Sequence, residues 1–357
     1  MPIFQPQSLY AVARLMTHHM GCADSEAAEI ADHLVKANLT GHDSHGVGML
    51  PTYVRMLREG LLVPNQEAHT VLDSGPLLVI DARNGCGQRM AADAVQRAID
   101  RARVLGACVL ALRNSSHVGR IGAYAELATR SGCAFTAFVN VAGHNDIAAP
   151  YGSGEARLGT NPFCTAVPGA NGRPVMLDMA TTTIAAGKAR VAYNKGLPVP
   201  DGCLIDPDGT PTNDPTGFIR DQAGALRTFG AHKGSGMAIM CEIMATAVAG
   251  GRGAFEPAQN GILNSMLAIV IDLSKLGDTD EIAARIEGTT AHIKSARPAP
   301  GFAEILLPGD PEHRSTAWRS EQGIEVDNTT WHDIRTAAVS LGITDSAFDQ
   351  AAGTNRT

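Results

Sequence analysis

Apolar positions along the chain follow two rhythms, a helical period near 3.6 and short continuous runs. Residues 6–38 carry the helical period and read as two helices. The second starts at Asp24-Ser25, residue types that cap helix N-termini. Glu26 and Glu29 lie in its first turn, and Ala27, Ile30, Ala31, Leu34 and Val35 form one face. Leu77 to Ile80 reads as a strand. From Arg89 to Leu105 the chain is amphipathic, with Ala91, Ala94, Val95, Ala98, Ile99 and Ala102 in one stripe and Gly106 as the stop. The run from Ala107 to Arg113 predicts a buried strand, and Ile121 to Ser131 a helix. Between Ala142 and Gly230 the pattern loosens into Gly, Pro, Asn and Thr, which predicts short strands and much loop. A helix from Ser235 to Ala249 and a strand from Met266 to Leu273 follow. Asp278-x-x-Glu281 opens another helix, the segment from Glu304 to Pro308 reads as a strand, and Trp331 to Leu341 forms a closing helix. Helical ends around a strand-bearing middle imply a mixed α/β molecule whose termini pack together.

Composition narrows the function. The net charge of −7, with no long basic run, argues against a nucleic-acid surface. No apolar run reaches membrane-spanning length, and the first residues lack the pattern of a signal peptide. The seven cysteines are scattered and form no C-x-x-C, which argues against a disulfide framework or a zinc site and for a reducing cytoplasm. No metal is expected. A length of 357 residues allows one large domain or two.

Candidate chemistry centres on His117, in the polar loop Asn114-Ser-Ser-His-Val-Gly-Arg120 between a predicted strand and a predicted helix. Such junctions are where α/β enzymes place reacting groups. Gly41-His42-Asp43-Ser44-His45-Gly46 closes the second helix and gathers two histidines, a carboxylate and a hydroxyl. Gly159-Thr160-Asn161-Pro162 is a turn offering backbone and side-chain donors. His232-Lys233-Gly234-Ser235-Gly236 precedes an apolar helix, an arrangement suited to an anion. A dinucleotide fingerprint is missing: Gly85-x-Gly87 follows a strand, but Met90 stands where the third glycine belongs, so the segment reads as a turn opening a helix. There is no P-loop, no G-x-S-x-G and no H-E-x-x-H.

Taken together, HDSHGVG, NSSHVGRIG, GTNPF, LDMATTTIAAGKARVA, NKGLPVPDG, HKGSGMA and PAPGFAEILLPGD resemble the type-2 malate/L-lactate dehydrogenase family, in family order and over nearly the whole chain. The pairing of HDSHGVGML with NSSHVGRIG is most similar to its hydroxycarboxylate dehydrogenase B-like branch; ureidoglycolate and sulfolactate dehydrogenases are relatives. The resemblance implies a non-Rossmann α/β (α+β) fold with a largely antiparallel central sheet, a flanking helical domain and a homodimer. It further implies a helical, substrate-side domain over 1–120, an inserted nicotinamide-binding domain over 121–300, and a return to the helical domain over 301–357. His117 falls on the family's acid/base histidine, with His45 and Ser44 orienting the substrate. His144, Thr160, Asn161, Asp178, Met179, Ala180, Lys233, Gly309, Asp310 and Pro311 fall on cofactor positions, the cofactor being NAD with NADP as the alternative.

Some relatives carry an arginine three residues after the SHG glycine, where Met49 stands here. A substrate carboxylate still needs a cation, because burying it unpaired is costly. Arg120 is the nearby candidate, sharing a face with His117 if the segment between them is helical, and Thr160 is a second substrate contact. The implied reaction is hydride transfer between a nicotinamide cofactor and a malate- or lactate-like 2-hydroxy acid. Reduction of a cyclic imine such as piperideine-2-carboxylate is the rival reaction. A nucleotide-binding chain without catalysis is the rival from another class.

Overall fold

The computed structural model describes residues 1–354. Strand β1 (Ile3–Phe4) leads into helices α1 (Pro6–His19), α2 (Asp24–Leu39) and α3 (Leu50–Arg58). The hairpin β2 (His69–Ser74) and β3 (Leu77–Asp81) is followed by α4 (Gly87–Leu105), β4 (Ala107–Ser116), α5 (Gly122–Arg130) and β5 (Cys133–Val139). The looser middle contains β6 (Ala148–Ala149), β7 (Phe163–Val167), β8 (Val175–Met179), α6 (Ala186–Asn194), β9 (Leu204–Ile205), β10 (Pro211–Thr212), α7 (Thr216–Arg220) and β11 (Ala225–Arg227). Then come α8 (His232–Ile243), prolonged by a π-turn, β12 (Leu263–Asp272), α9 (Thr279–Lys294), α10 (Asp310–Gln322), β13 (Ile324–Glu325), α11 (Asn328–Ser340) and α12 (Asp345–Ala352).

The main sheet has the order β2-β3-β4-β12-β5-β7-β8. Every neighbouring pair is antiparallel except β3–β4, so the largely antiparallel expectation holds. Strand β5 shows why these segments form a sheet. Cys133, Phe135, Ala137 and Val139 alternate into the core beneath α4 and α5, while the residues between them face the other side. The small alanines of α4 bring its axis close to β4 and β12. A second sheet, β10-β9-β11-β6, organises the Gly- and Pro-rich middle. The sheet takes strands from both sides of residue 120, since β4 pairs with β12 across most of its length.

The two chain ends share one core. Leu9, Met16, Ile30 and Leu34 from the N-terminal helices pack with Ile334 and Phe348 from α11 and α12. β1 pairs with β13, so the termini close on each other as the helical pattern implies.

Several local expectations fail for identifiable reasons. Ala23, not Asp24-Ser25, is the N-cap of α2, and no side chain caps it. Asp278 does cap α9, accepting from Asp280 N and Glu281 N. Glu304 to Pro308 is not a strand. It touches β8 through one bond, Met176 N to the Pro308 carbonyl at 3.1 Å, and Pro308 has no N–H to extend a ladder. The helix over residues 328–340 is not the last one: α12 follows it, and α10 precedes it. Pro311 in the first turn of α10 suits a helix start.

Candidate active site

His117 emerges from the end of β4, as its place in the sequence implies. Both ring nitrogens have partners. Nδ1 lies 2.7 Å from the Tyr53 hydroxyl, and Nε2 lies 3.0 Å from His45 Nδ1. The two imidazoles are close to coplanar, with centroids 5.2 Å apart and an 11° interplanar angle. Tyr53 comes from α3 and accepts a hydrogen bond from Gln88 Nε2, on α4, at 2.5 Å. The His117 ring is thus held between the 43–45 turn and α3, and α4 braces Tyr53 from behind.

Glycines make this convergence sterically possible. A Cβ on Gly87 would sit 2.2 Å from the His117 carbonyl oxygen, so α4 can start against this loop only without one. That is the physical reason for the glycine in the Gly85-x-Gly87 segment, in place of phosphate binding. Gly119 has φ +76°, and a Cβ there would sit 2.2 Å from His33 Nε2. His33, on α2, accepts the Arg120 N–H at 2.9 Å.

Burial drives the electrostatics. Desolvation holds His117 well below the usual imidazole range, with the nearby His45, His33 and His144 acting in the same direction. His45 is lowered to about 4, first by burial and then by His42 and Arg120. His33 is lowered to about 3, again mainly by burial. The pair is thus neutral at physiological pH. His45 is the more exposed ring, and its Nε2 has no partner among the described residues, so the pair opens toward solvent through His45.

Residues 117–120 lie outside any helix, because α5 begins only at Gly122, so Arg120 does not share a helical face with His117. It is nevertheless no surface charge, being only 2 % exposed. One guanidinium nitrogen pairs with Glu126, while Nε and Nη1 are buried with no protein partner. Asp178, at the end of β8, accepts the Gly122 N–H at 2.7 Å. Burial raises its pKa against the opposing pull of His42 and Arg120.

The remaining candidates are tied to the end of β8 by backbone bonds. Thr181 N donates to the Thr160 carbonyl at 3.0 Å, and Phe229 N to the Thr181 carbonyl at 3.1 Å, which leads directly to the start of α8. Lys233 is exposed in the first turn of that helix, whose N-terminus no side chain caps. Gly309, at φ +98°, places the start of α10 against β8, where a Cβ would lie 3.3 Å from the Pro174 carbonyl. Asp310 is engaged with Lys294 at 2.8 Å and with Leu307 N at 2.9 Å. Met179 and Ala180 are half-buried beyond Asp178, and Pro311 is exposed. Asn161 is fully buried at φ +31°, and its side chain is committed internally to Val141 N, the Ala238 carbonyl and Glu242. That clamp leaves the neighbouring Thr160 half-buried, with no side-chain hydrogen bond among the described residues. The Nδ1 of His144 lies 2.5 Å from the Asn145 carbonyl. Ser44 meets the middle segment where α6 begins, and a Cβ on Gly187 would lie 2.8 Å from its Cβ.

Comparison with known proteins identifies the family. The malate/L-lactate dehydrogenase family model matches residues 4–335. The chain belongs to that family. Hydroxycarboxylate dehydrogenase B of Escherichia coli (strain K12) is 40 % identical over 344 residues, covering 95 % of this chain and 94 % of the relative. A solved E. coli structure, named provisionally as a malate/lactate dehydrogenase, superposes with a TM-score of 0.94 at 38 % identity, covering 99 % of both chains. Delta1-piperideine-2-carboxylate reductase from Pseudomonas syringae pvar. tomato superposes at 0.81 with 28 % identity, covering 95 % of this chain and all (100 %) of that one. As a family member the protein is an oxidoreductase of the nicotinamide-using kind, with the fold the sequence motifs implied. Tyr53, Gln88 and His33 are the site residues sequence reasoning missed. The one signal for Gln88 was its position beside the unexplained Gly85-x-Gly87 pair.

Proposed function

We propose that the protein interconverts a malate- or lactate-like 2-hydroxy acid and its 2-oxo acid, with the His117–His45 pair managing the proton. The carrying observation is that buried, hydrogen-bonded pair, neutral and open on one side. The donor set beyond it suits a nicotinamide dinucleotide. The uncapped N-terminus of α8 with Lys233 in its first turn offers positive charge and free N–H groups to a diphosphate. Thr160, His144, the Asp178–Ala180 segment and the Gly309–Pro311 turn complete the proposed cofactor contacts. The bound cofactor supplies the hydride donor or acceptor.

The protein's residues then have distinct tasks. In the oxidative direction the histidine pair accepts the hydroxyl proton. In the reductive direction it returns a proton to the carbonyl oxygen. Ser44 and Thr160 orient the substrate oxygens. Arg120 takes the carboxylate, a role supported by its two unpartnered guanidinium nitrogens. The row Ile239, Met240, Ile243 and Val248, exposed on α8 and its π-turn, supports a homodimer. The seven free, buried cysteines support a cytoplasmic site of action. Among the described residues no helix is long and apolar enough to cross a membrane.

A panel of 2-oxo acids and piperideine-2-carboxylate, each with NADH and NADPH and followed by absorbance, tests the reading. We expect turnover with a C3 or C4 oxo acid and preference for NADH. Turnover confined to the cyclic imine would shift the assignment to an imine reductase, which the similarity to the Pseudomonas reductase favours as the second reading.

A further inference from the structure

Gln88, Tyr53, His117 and His45 form a single file of hydrogen bonds whose direction can be read from its inner end. The Gln88 side-chain amide donates to the Tyr53 oxygen at 2.5 Å. With that contact filled, the phenol hydrogen has His117 Nδ1, 2.7 Å away, as its acceptor. A ring nitrogen that accepts carries no proton, so neutral His117 holds its proton on Nε2. Nε2 then donates to His45 Nδ1 across 3.0 Å, which leaves the proton of His45 on its outward Nε2.

We propose that Gln88 and Tyr53 are positioning residues that fix the tautomers of His117 and His45 so that every N–H and O–H in the file points toward the substrate side. The surroundings enforce this order. Tyr53 is 1 % exposed and Gln88 3 %, so water is not available to replace either partner. Neither residue occurs in a catalytic motif; each reaches the site through packing, Tyr53 on the buried face of α3 and Gln88 in the first turn of α4. Gly87 is the device that makes the file possible, because its missing side chain lets the start of α4 lie against the His117 backbone. The consequence for chemistry rests on the hydroxy-acid reading. The resting site presents an N–H that can hydrogen-bond a carbonyl oxygen; reduction is completed by a proton that the pair takes up from solvent and passes on, and accepting a hydroxyl proton in oxidation first requires both tautomers to reverse. Where an imidazole must act in one tautomer, holding the wrong one costs up to roughly 10⁴-fold in kcat.

The tautomer readout needs no substrate, so it can fail independently of the proposed reaction; kcat is read only as a second measure. Full-length protein labelled with ¹⁵N-histidine is examined by long-range ¹H–¹⁵N correlation, with His117→Asn and His45→Asn used only to assign signals. The wild type should show His117 and His45 as Nε2–H tautomers. Gln88→Glu, measured where the carboxylate is ionised, offers Tyr53 an acceptor instead of a donor and should turn His117 to the Nδ1–H form. Gln88→Leu should give a mixture. Tyr53→Phe should lose the single tautomer as well and lower kcat about 10- to 100-fold, with cofactor affinity unchanged. Far-UV circular dichroism and cofactor affinity report whether each variant is folded. An Nδ1–H form in the wild type would overturn the proposal, since Gln88 would then present its carbonyl to Tyr53. One unchanged tautomer across the folded variants would equally overturn it.

Discussion

The site has two unlike halves. At the His117 end, the side chains proposed to handle the proton are buried, hydrogen-bonded and drawn from α2, α3, α4 and the 43–45 turn. At the β8 end, the candidates stand on turns and helix starts joined by backbone bonds, and Lys233 is exposed. The difference fits the two tasks proposed for them. A proton must be delivered at a fixed atom, so its donor is locked by packing at some cost in desolvation. A long dinucleotide is held by many weaker contacts, for which backbone N–H groups and one flexible cation suffice.

This contrast breaks most visibly at His117. His117→Ala should lower kcat by about 10² to 10⁴ while leaving cofactor affinity near wild type, as read by steady-state kinetics beside cofactor fluorescence titration. Equal damage to both would merge the two halves. Lys233→Ala should do the converse, raising the cofactor dissociation constant by about 10- to 100-fold, as for loss of one charge-assisted hydrogen bond, with kcat at saturation little changed. A raised substrate KM with unaltered cofactor binding would move Lys233 to the substrate half.

Arg120 lies between the halves. Arg120→Met should raise the KM for 2-oxo acids about tenfold or more, because a carboxylate would be buried without a cation and Glu126 would keep only the longer pair with Arg130. Arg120→Lys keeps the charge but loses the planar fork and should show a smaller rise. A drop in melting temperature with unchanged KM would make the Glu126 pair structural only.

The smallest effect on activity, and a clear one on stability, concerns His33. Its folded pKa, about 3, lies below the unfolded value of 6.5. The stabilisation is therefore full above pH 6.5 and is lost as pH falls toward 3. His45, lowered to about 4, adds to the same slope. Each contributes about 1.4 kcal/mol per pH unit within its window. Denaturant midpoints between pH 7 and pH 4 should fall steadily, and His33→Gln should flatten the fall. A parallel curve for that variant would remove His33 as a cause.

How much of this was legible in the sequence also divides along the two halves. His117, His45 and Lys233 sit in short contiguous motifs that local chemistry marks out, whereas the Gly309 turn was reached only through the family resemblance. The antiparallel sheet and the joined termini followed from the family motifs and from helical periodicity at both ends. Tyr53 and Gln88 were invisible because only packing brings them in: Tyr53 meets His117 across 64 residues, and Gln88 meets Tyr53 across 35. Tyr53 lies on the buried face of α3, a helix the sequence reading did not assign. Arg120 was singled out partly on the expectation of a helical face shared with His117, which the structure does not have, since Gly119 at positive φ stands where that turn was expected. Glu304 to Pro308 misled because apolar residues beside a sheet need not join it when proline removes the donor.

The most direct test of the central claim, that this chain moves a hydride between a nicotinamide ring and C2 of a hydroxy acid, is isotope transfer. The enzyme is run with NADH carrying deuterium at C4 and a 2-oxo acid, and the product is read by NMR and mass spectrometry. The account predicts one deuterium at C2 of the hydroxy acid, with transfer from one face of the ring only, and its near-complete loss of rate in His117→Ala. Deuterium appearing only in solvent, or only in a saturated cyclic amine when the imine is supplied, would contradict it.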